Sequence, residues 1–294
     1  MKAVIVMIVC SLMILSCEVD DSTISSSDLY YPIQEGNVWK YLRTNQFENI
    51  VGDSLPITVT EKIDTSYALV WISGEKTIKD NLKTMVIKGI AVIGADIGDI
   101  PEISELNGPA MYYTQNKDGL YIYAYQSVGG SEGLVPKQSQ KYQFRFNNNI
   151  YNSIDEIISD IHMDNPLYLF KTADDSLNYE NPPLCVLKYP LSVGSQWTYR
   201  SNPCRIDKVV EDEIPITTTG KTFNCFKIRW YYDIDGNNEW DDSTIITDYV
   251  SEQGLIMRDQ IFKHVIVLDA HGNESGSFDM HIKLMLQDYS LHTN

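Results

Sequence analysis

The stretch from Asp233 to Asp242 carries the side chains best suited to bind a metal ion. Oxygen-bearing side chains recur there at every second position: Asp233, Asp235, Asn237, Glu239 and Asp241. Alternating oxygen ligands are typical of a calcium loop, so calcium is the one cofactor that the sequence suggests. The pattern departs from an EF-hand, because Asn238 occupies the place where that loop needs glycine. A solvated hairpin turn is the alternative, since Asp, Asn and Gly are ordinary turn residues.

Other arrangements of reactive side chains are weak. His-Glu-x-x-His does not occur, and no spacing of Cys and His is suited to zinc. Asp269 and His271 are of the right types for an acid/base pair, but they lie in the run Asp-Ala-His-Gly-Asn, which predicts a turn. We therefore predict no enzyme activity and no catalytic residue, with a hydrolase as the weakest alternative.

Three cysteines follow the N-terminal region: Cys185, Cys204 and Cys225. An odd number leaves at least one thiol without a partner in an oxidising compartment. Cys204 follows the predicted strand of Trp197, and Cys225 lies in the next apolar strand. We predict a disulfide between Cys204 and Cys225, with three reduced core thiols as the alternative.

A motif of Tyr, Pro, Gly, Trp and Tyr occurs twice, in residues 31–41 and 189–199. Proline and glycine favour a turn that leads into a strand. Each copy then places two aromatic residues two positions apart: Trp39 and Tyr41, and Trp197 and Tyr199. On a strand, the two rings of each pair lie on one face. They are either core anchors or an aromatic platform that binds a sugar or an apolar ligand.

The N-terminal region predicts a membrane anchor. A positive start precedes an apolar run, Ala3 to Leu15, that is too short to span a bilayer as a helix. The run leads into Leu15-Ser16-Cys17, which resembles a bacterial lipoprotein box. In such proteins the segment before the cysteine, here 1–16, is removed and the cysteine receives the lipid. Residues 17–29 are acidic and Ser-rich, as is typical of a tether. An ordinary signal peptide cut elsewhere is the alternative.

The formal net charge of −17 restricts the partners. It argues against nucleic acid, which needs a basic footprint, and against electrostatic docking on anionic lipid. Membrane association is therefore expected through the N-terminal lipid. We expect the chain in the bacterial envelope, on the outer membrane, facing the periplasm or the cell surface.

The order of motifs in the second half resembles a group of Bacteroidota envelope lipoproteins, most of them of unknown function. The motifs are Pro-Leu-x-x-Gly-x-x-Trp-x-Tyr, Gly-x-x-Phe-x-Cys-Phe-Lys-Ile and Gly-Leu-Ile. The matching residues are Pro190, Leu191, Gly194, Trp197, Tyr199, Gly220, Phe223, Cys225, Phe226, Lys227, Ile228, Gly254, Leu255 and Ile256. The first half lacks a clear Gly-x-x-Phe-x-Cys element. The resemblance implies a curved antiparallel sheet, like the half-barrels of lipoprotein carriers, and no catalytic residue.

Short runs of β-branched and aromatic residues between turn residues predict a mainly β fold. We expect curved antiparallel sheets, half-barrel or sandwich-like, in two related halves, 30–183 and 184–294. One short helix is predicted where Ser153 and Glu156 form a capping box ahead of isoleucines at helical spacing. The predicted function is a non-catalytic binding or structural module that contacts protein, glycan or a small apolar ligand. A lipid or lipoprotein carrier with an open apolar concavity is the alternative.

Overall fold

The computed structural model describes residues 29–52, 55–56, 59, 63–93, 108–126, 142–161 and 177–292. These residues form fourteen strands: β1 (Val38–Val51), β2 (Ile63–Thr77), β3 (Lys83–Ile93), β4 (Ala110–Asn116), β5 (Gly119–Gln126), β6 (Gln143–Phe146), β7 (Asn149–Tyr151), β8 (Asn178–Lys188), β9 (Gln196–Arg200), β10 (Arg205–Thr218), β11 (Lys221–Asp233), β12 (Thr244–Ser251), β13 (Gly254–Leu268) and β14 (Glu274–Ser290). A 3-10 turn covers Lys79–Asn81, and helix α1 covers Ile154–Ile161.

All fourteen strands belong to one antiparallel sheet. Its order is β8-β5-β4-β3-β2-β1-β14-β13-β12-β11-β10-β9, with β6 added to β13 and β7 added to β6. The prediction of a mainly β, curved antiparallel fold is confirmed, but the strands form a single sheet instead of several. The pairing of β1 with β14 joins the two predicted halves. The boundary predicted between residues 183 and 184 lies inside β8.

The sheet curls until its two edge strands, β8 and β9, face each other. No ladder joins them within the described ranges, and side chains close the gap instead. Nε1 of Trp197 donates to the carbonyl oxygen of Cys185 at 2.9 Å, and Nζ of Lys208 donates to that of Val186 at 3.2 Å. We call this contact between β8 and the β9–β10 side chains the seam.

The strands form because apolar residues alternate with polar ones along them. In β14, Phe278, Met280, Ile282 and Leu284 are all buried, whereas the residues between them are partly exposed. Alternation of this kind puts one face of each strand into the interior of the curl. Helix α1 adds Ile157 to the same core.

Ser153 caps helix α1, as the predicted capping box requires. The backbone N–H of Glu156 donates to Oγ of Ser153 at 3.1 Å, and the N–H of Asn152 donates to Oε2 of Glu156 at 2.7 Å. The first bond satisfies an N–H group that a helix start otherwise leaves open, and the second holds the residue before the cap against the first turn.

The glycines of the two motif copies adopt the same conformation. Gly36 has φ of 85° and Gly194 has φ of 87°, a region that side-chain-bearing residues rarely occupy. Each donates its N–H to a carbonyl of the next strand in its ladder, Ile72 at 3.0 Å for Gly36 and Val210 at 2.8 Å for Gly194. Glycine at this position therefore allows the turn that starts β1 and β9.

The curled sheet has two ends, which we call the near end and the far end. The chain enters β1 at the near end, where Val38 pairs with Ser290 and the N–H of His292 donates to Asn37 at 2.7 Å. The turns 117–118, 189–195 and 252–253 also lie there. The far end holds the end of β1 at Val51 and the acidic turn after β11.

Candidate functional site

The four motif aromatics are core residues. All four side chains are buried: Trp39, Tyr41, Trp197 and Tyr199. Nε1 of Trp39 donates to the carbonyl of Gln253 at 2.6 Å, and the hydroxyl of Tyr41 donates to that of Leu255 at 3.0 Å. The core interpretation is confirmed. The ligand-platform interpretation of these rings is wrong, because protein atoms cover their faces.

The acidic turn uses its side chains to hold its own backbone. Its predicted ligands were Asp233, Asp235, Asn237, Glu239 and Asp241. Oδ2 of Asp241 accepts from the N–H of Ile234 at 2.7 Å, and Oδ1 of Asn237 accepts from the N–H of Glu239 at 2.6 Å. In the described ranges, no three His, Cys, Asp or Glu side chains converge to hold a metal ion. The structure shows the hairpin turn, with these side chains bound to its own backbone, and calcium binding stays a prediction.

The predicted disulfide between Cys204 and Cys225 is also wrong. Both thiols are free, as is Cys185. Arg205, next to Cys204, pairs with Asp233, whereas Cys225 pairs with Ile214. The two pairs lie about 30 Å apart along β10 at about 3.3 Å per residue, whereas a disulfide needs Cα atoms within about 7 Å. Burial raises the pKa of Cys225 to about 12, which keeps this thiol protonated.

A group of charged and aromatic side chains lies inside the curl, and no sequence motif predicts it. We call it the inner polar cluster, and it comprises Tyr199, Lys208, Trp230, Asp248 and Arg258. Lys208 is 1% exposed, and its Nζ lies 3.6 Å from the ring centroid of Trp230 and 4.4 Å from that of Tyr199. A buried ammonium is stabilised by aromatic faces of this kind.

Asp248 organises the other side of the cluster. Its Oδ1 accepts from Nε of Arg258 at 2.6 Å, and its Oδ2 accepts from Nη2 of Arg258 at 2.9 Å. Nε1 of Trp230 donates to the same Oδ2 at 3.0 Å. The guanidinium carbon of Arg258 lies 5.0 Å from the Trp230 centroid. Trp230 is thus packed against two buried cations and hydrogen-bonded to the carboxylate.

Two phenols border the cluster, and neither is suited to act as a base. Burial raises the pKa of Tyr31 to about 12 and raises the pKa of Tyr41 well above its usual value. Both hydroxyls therefore stay neutral at neutral pH. The cluster supplies fixed hydrogen bonds and buried charge, which order the interior of the sheet.

The sequence indicates the inner polar cluster only once the inward-facing residues of each strand are known. Lys208 lies between Ile206 and Val210, and all three alternate positions of β10 are buried. A lysine that interrupts an apolar face is the available signal. It becomes visible once the face of β10 that points inward is known.

An exposed aromatic group lies at the far end, which we call the Trp240 patch. Trp240 is 44% exposed. Its ring centroid lies 5.7 Å from that of Tyr231, and the guanidinium carbon of Arg205 lies 5.0 Å from it. Exposed aromatic rings supported by arginine are enriched at binding surfaces.

Ser131 stands at the centre of Gly-x-Ser-x-Gly, residues 129–133. The nucleophile elbow with this pattern joins a strand to a helix in an α/β sheet. The sheet of this chain is antiparallel, and residues 129–133 lie outside the described residues.

A partly exposed ion pair joins two strands on the outer face of the sheet. Nε2 of His281 on β14 hydrogen-bonds Oδ1 of Asp259 on β13. This bond raises the pKa of His281. Burial pushes the pKa of Asp259 upward, but the hydrogen bond, the charge of His281 and Lys283 together leave it lowered. Lys283 and Glu48 also act on His281, in opposite directions.

The pair should stabilise the fold most at mildly acidic pH. The folded-state pKa of His281 lies above 6.5, so its contribution is full below that pH and is lost as the pH rises through the folded-state value. Replacing His281 with Gln should lower the free energy of unfolding by up to about 1 kcal/mol at about pH 5.5, and have little effect at about pH 9. Urea denaturation at both pH values measures this.

Stabilisation by the pair is also lost at low pH. The contribution of Asp259 disappears as the pH falls through its lowered pKa. His271, in the exposed turn 269–272, provides the control variant His271→Gln. An equal destabilisation by His281→Gln at both pH values would contradict the expected role of the pair.

Comparisons with known proteins give two distant structural likenesses. No family model matches the chain, and no curated protein matches it. A solved structure from Bacteroides fragilis NCTC 9343, assigned as an exported protein with a YmcC-like fold, aligns with a TM-score of 0.31 and 11% identity. The alignment covers 89% of this chain and 99% of that one.

The second likeness is to a protein of Parabacteroides distasonis ATCC 8503 that is assigned as a lipoprotein. Its TM-score is 0.30 and its identity is 13%, over 88% of this chain and 97% of that one. None of the described helical segments has the length and apolar content needed to cross a membrane.

Proposed function

We propose that this chain is a lipid-anchored protein of the bacterial envelope, placed on the outer membrane, that acts as a non-catalytic binding or structural module. The anchor is the lipid on Cys17, which the lipoprotein box Leu15-Ser16-Cys17 supports. Cys17 lies outside the described residues. The folded part of the chain that the structure describes, between Leu29 and His292, carries the surface that binds a partner.

The packed interior of the sheet is the observation that carries the binding or structural role. Trp39 is 0% exposed, and Trp230 and Lys208 are almost fully buried. These side chains occupy the inner face of strands β1, β10 and β11. An apolar ligand of the kind held by a lipid carrier therefore has no open space beside these residues. This favours a protein that works through its outer surface over the carrier alternative.

The Trp240 patch is the outer surface best suited to a partner. Trp240 presents an aromatic face, and exposed Asp235 and Glu239 lie in the same turn. Aromatic rings beside hydrogen-bonding groups can pack against protein side chains or against a sugar ring. A protein or a glycan is thus the class of partner that this module binds.

Removal of the Cys17 thiol should abolish the anchor. The variant Cys17→Ser cannot form the thioether that carries the lipid, so metabolic labelling with an alkyne fatty acid should be lost. The protein should also move from the membrane fraction to the soluble fraction. In-gel fluorescence after click chemistry, together with fractionation of the cells, measures both effects.

Cys10 supplies the matched control, because it lies in the segment that is removed. Cys10→Ser should keep full labelling and membrane association. Unchanged labelling of Cys17→Ser would refute lipid attachment at this residue. Saturable binding of a fluorescent fatty acid to the purified protein would instead support the carrier alternative.

A further inference from the structure

The position where the chain enters the sheet limits how an anchored body can sit on a bilayer. Leu29, the first described residue, lies at the near end, and about 12 residues separate it from the lipid site at Cys17. That length spans at most about 40 Å when fully extended. The 15 residues of β13 alone run about 50 Å at about 3.3 Å per residue. Because strands of a curled sheet are tilted, the height of the sheet is less than this length. The segment therefore lets the near end rest on the bilayer easily, whereas contact through the far end needs the segment almost fully extended.

The near end also carries apolar side chains in solvent. Tyr30 is 49% exposed and Val193 is 57% exposed. The ring of Tyr30 packs edge-on against Tyr189 at 5.1 Å, and Tyr189 opens the turn that carries Val193. Tyrosine is favoured at the boundary between lipid and water, where its ring is half wet. Both exposed side chains thus lie at the end where the chain enters.

Charge distinguishes the two ends as well. Exposed lysines line the near-end turns and the tip of the β10–β11 hairpin: Lys76, Lys79, Lys83, Lys117, Lys188 and Lys221. Exposed carboxylates lie among them in similar number, and Lys83 pairs with one of them, Glu75, at 3.0 Å, so the near end is of mixed charge. These carboxylates are Glu35, Glu75, Asp80, Asp118 and Glu252. The far end displays the acidic turn, with Asp242 97% exposed in its side chain. Lysines are attracted to anionic headgroups, and carboxylates are repelled.

We propose that the near end is the face that rests on the bilayer, with Tyr30 and Val193 at the lipid headgroups. The far end then points away from the membrane and presents the Trp240 patch to the surrounding space. This inference rests on the proposed lipid attachment at Cys17. Its partner is the lipid surface itself, recognised by the anchor together with the exposed side chains of Tyr30 and Val193.

Photocrosslinking in the native envelope tests the orientation. p-Benzoylphenylalanine is placed at Val193 in one full-length variant and at Trp240 in another, two positions of comparable exposure at opposite ends. After irradiation, mass spectrometry of the purified protein measures lipid adducts. We expect lipid adducts at position 193 and no adduct above the unirradiated background at position 240.

Lipid adducts at position 240 that equal or exceed those at position 193, or no lipid adduct at either, would overturn the inference. Tyr30 and Ile150, also exposed and at opposite ends, provide a second pair in case a first variant does not fold. The mass of the N-terminal peptide is read from the same sample. A chain without an acyl group on Cys17 refutes the proposed function, whereas an acylated chain with the wrong adducts refutes the orientation alone.

Discussion

Replacing Asp248 with alanine should lower the free energy of unfolding by about 3–5 kcal/mol. The carboxylate accepts hydrogen bonds from Arg258 at 2.6 and 2.9 Å and from Trp230 at 3.0 Å. All three side chains are buried. The substitution leaves the guanidinium and the indole N–H in the interior without these bonds, and a buried charge that loses its counterion is costly. Urea denaturation of the purified protein measures the loss.

Two controls separate the charge from the loss of atoms. Asp248→Asn keeps the shape and one acceptor, so its effect should be smaller than that of alanine. Asp242→Ala removes a carboxylate from a side chain that is 97% exposed, and it should change stability by about 0.5 kcal/mol or less. Equal effects of Asp248→Ala and Asp242→Ala would show that the inner polar cluster does not stabilise the fold.

The double replacement Asp248→Leu with Arg258→Met removes both charges of the pair. It tests whether the cost of Asp248→Ala comes from the Arg258 charge that is left behind. Exchange of a whole buried ion pair for apolar residues of similar size is often neutral or stabilising. The double variant should therefore be more stable than Asp248→Ala alone. This outcome would assign the cost to the uncompensated Arg258 charge, and a simple sum of two losses would contradict it.

Local features of this fold were predictable because neighbouring residues determine them. The hairpin between β4 and β5 follows from Asn116 and Gly119, whose turn joins two apolar runs. Helix α1 follows from its capping box. The core role of Trp39 follows from its spacing to Tyr41 on one strand face.

Long-range pairing was not predictable in the same way. The ladder between β1 and β14 joins residues at opposite ends of the sequence, and no local pattern encodes it. The wrong disulfide prediction and the missed burial of Lys208 both depend on strand register, which the sequence does not show. Cys204 directly precedes β10 and Cys225 lies on the neighbouring strand β11, but the register of the β10–β11 ladder places them far apart. Lys208 looks like an ordinary surface lysine until the inward face of β10 is known.

Replacement of Trp197 with alanine should cost about 3–5 kcal/mol, the range for a large aromatic side chain removed from a core. Trp197 has a second role, because it closes the seam by donating to the carbonyl of Cys185 at 2.9 Å. No strand ladder supports β8 on that side in the described ranges. Hydrogen exchange of β8 amides should therefore rise more than that of β14 amides, which lie inside the sheet.

The variants Trp197→Phe and Trp240→Ala make this prediction specific. Phenylalanine keeps most of the packing but loses the N–H, so it should cost less than alanine while still leaving the Cys185 carbonyl without its donor. Trp240 is partly exposed, and its removal should cost about 1 kcal/mol or less while weakening partner binding. A near-neutral Trp197→Ala that loses binding would reverse these roles. It would make Trp197 a ligand contact and the seam an entrance, because a core anchor cannot be removed without a loss of stability.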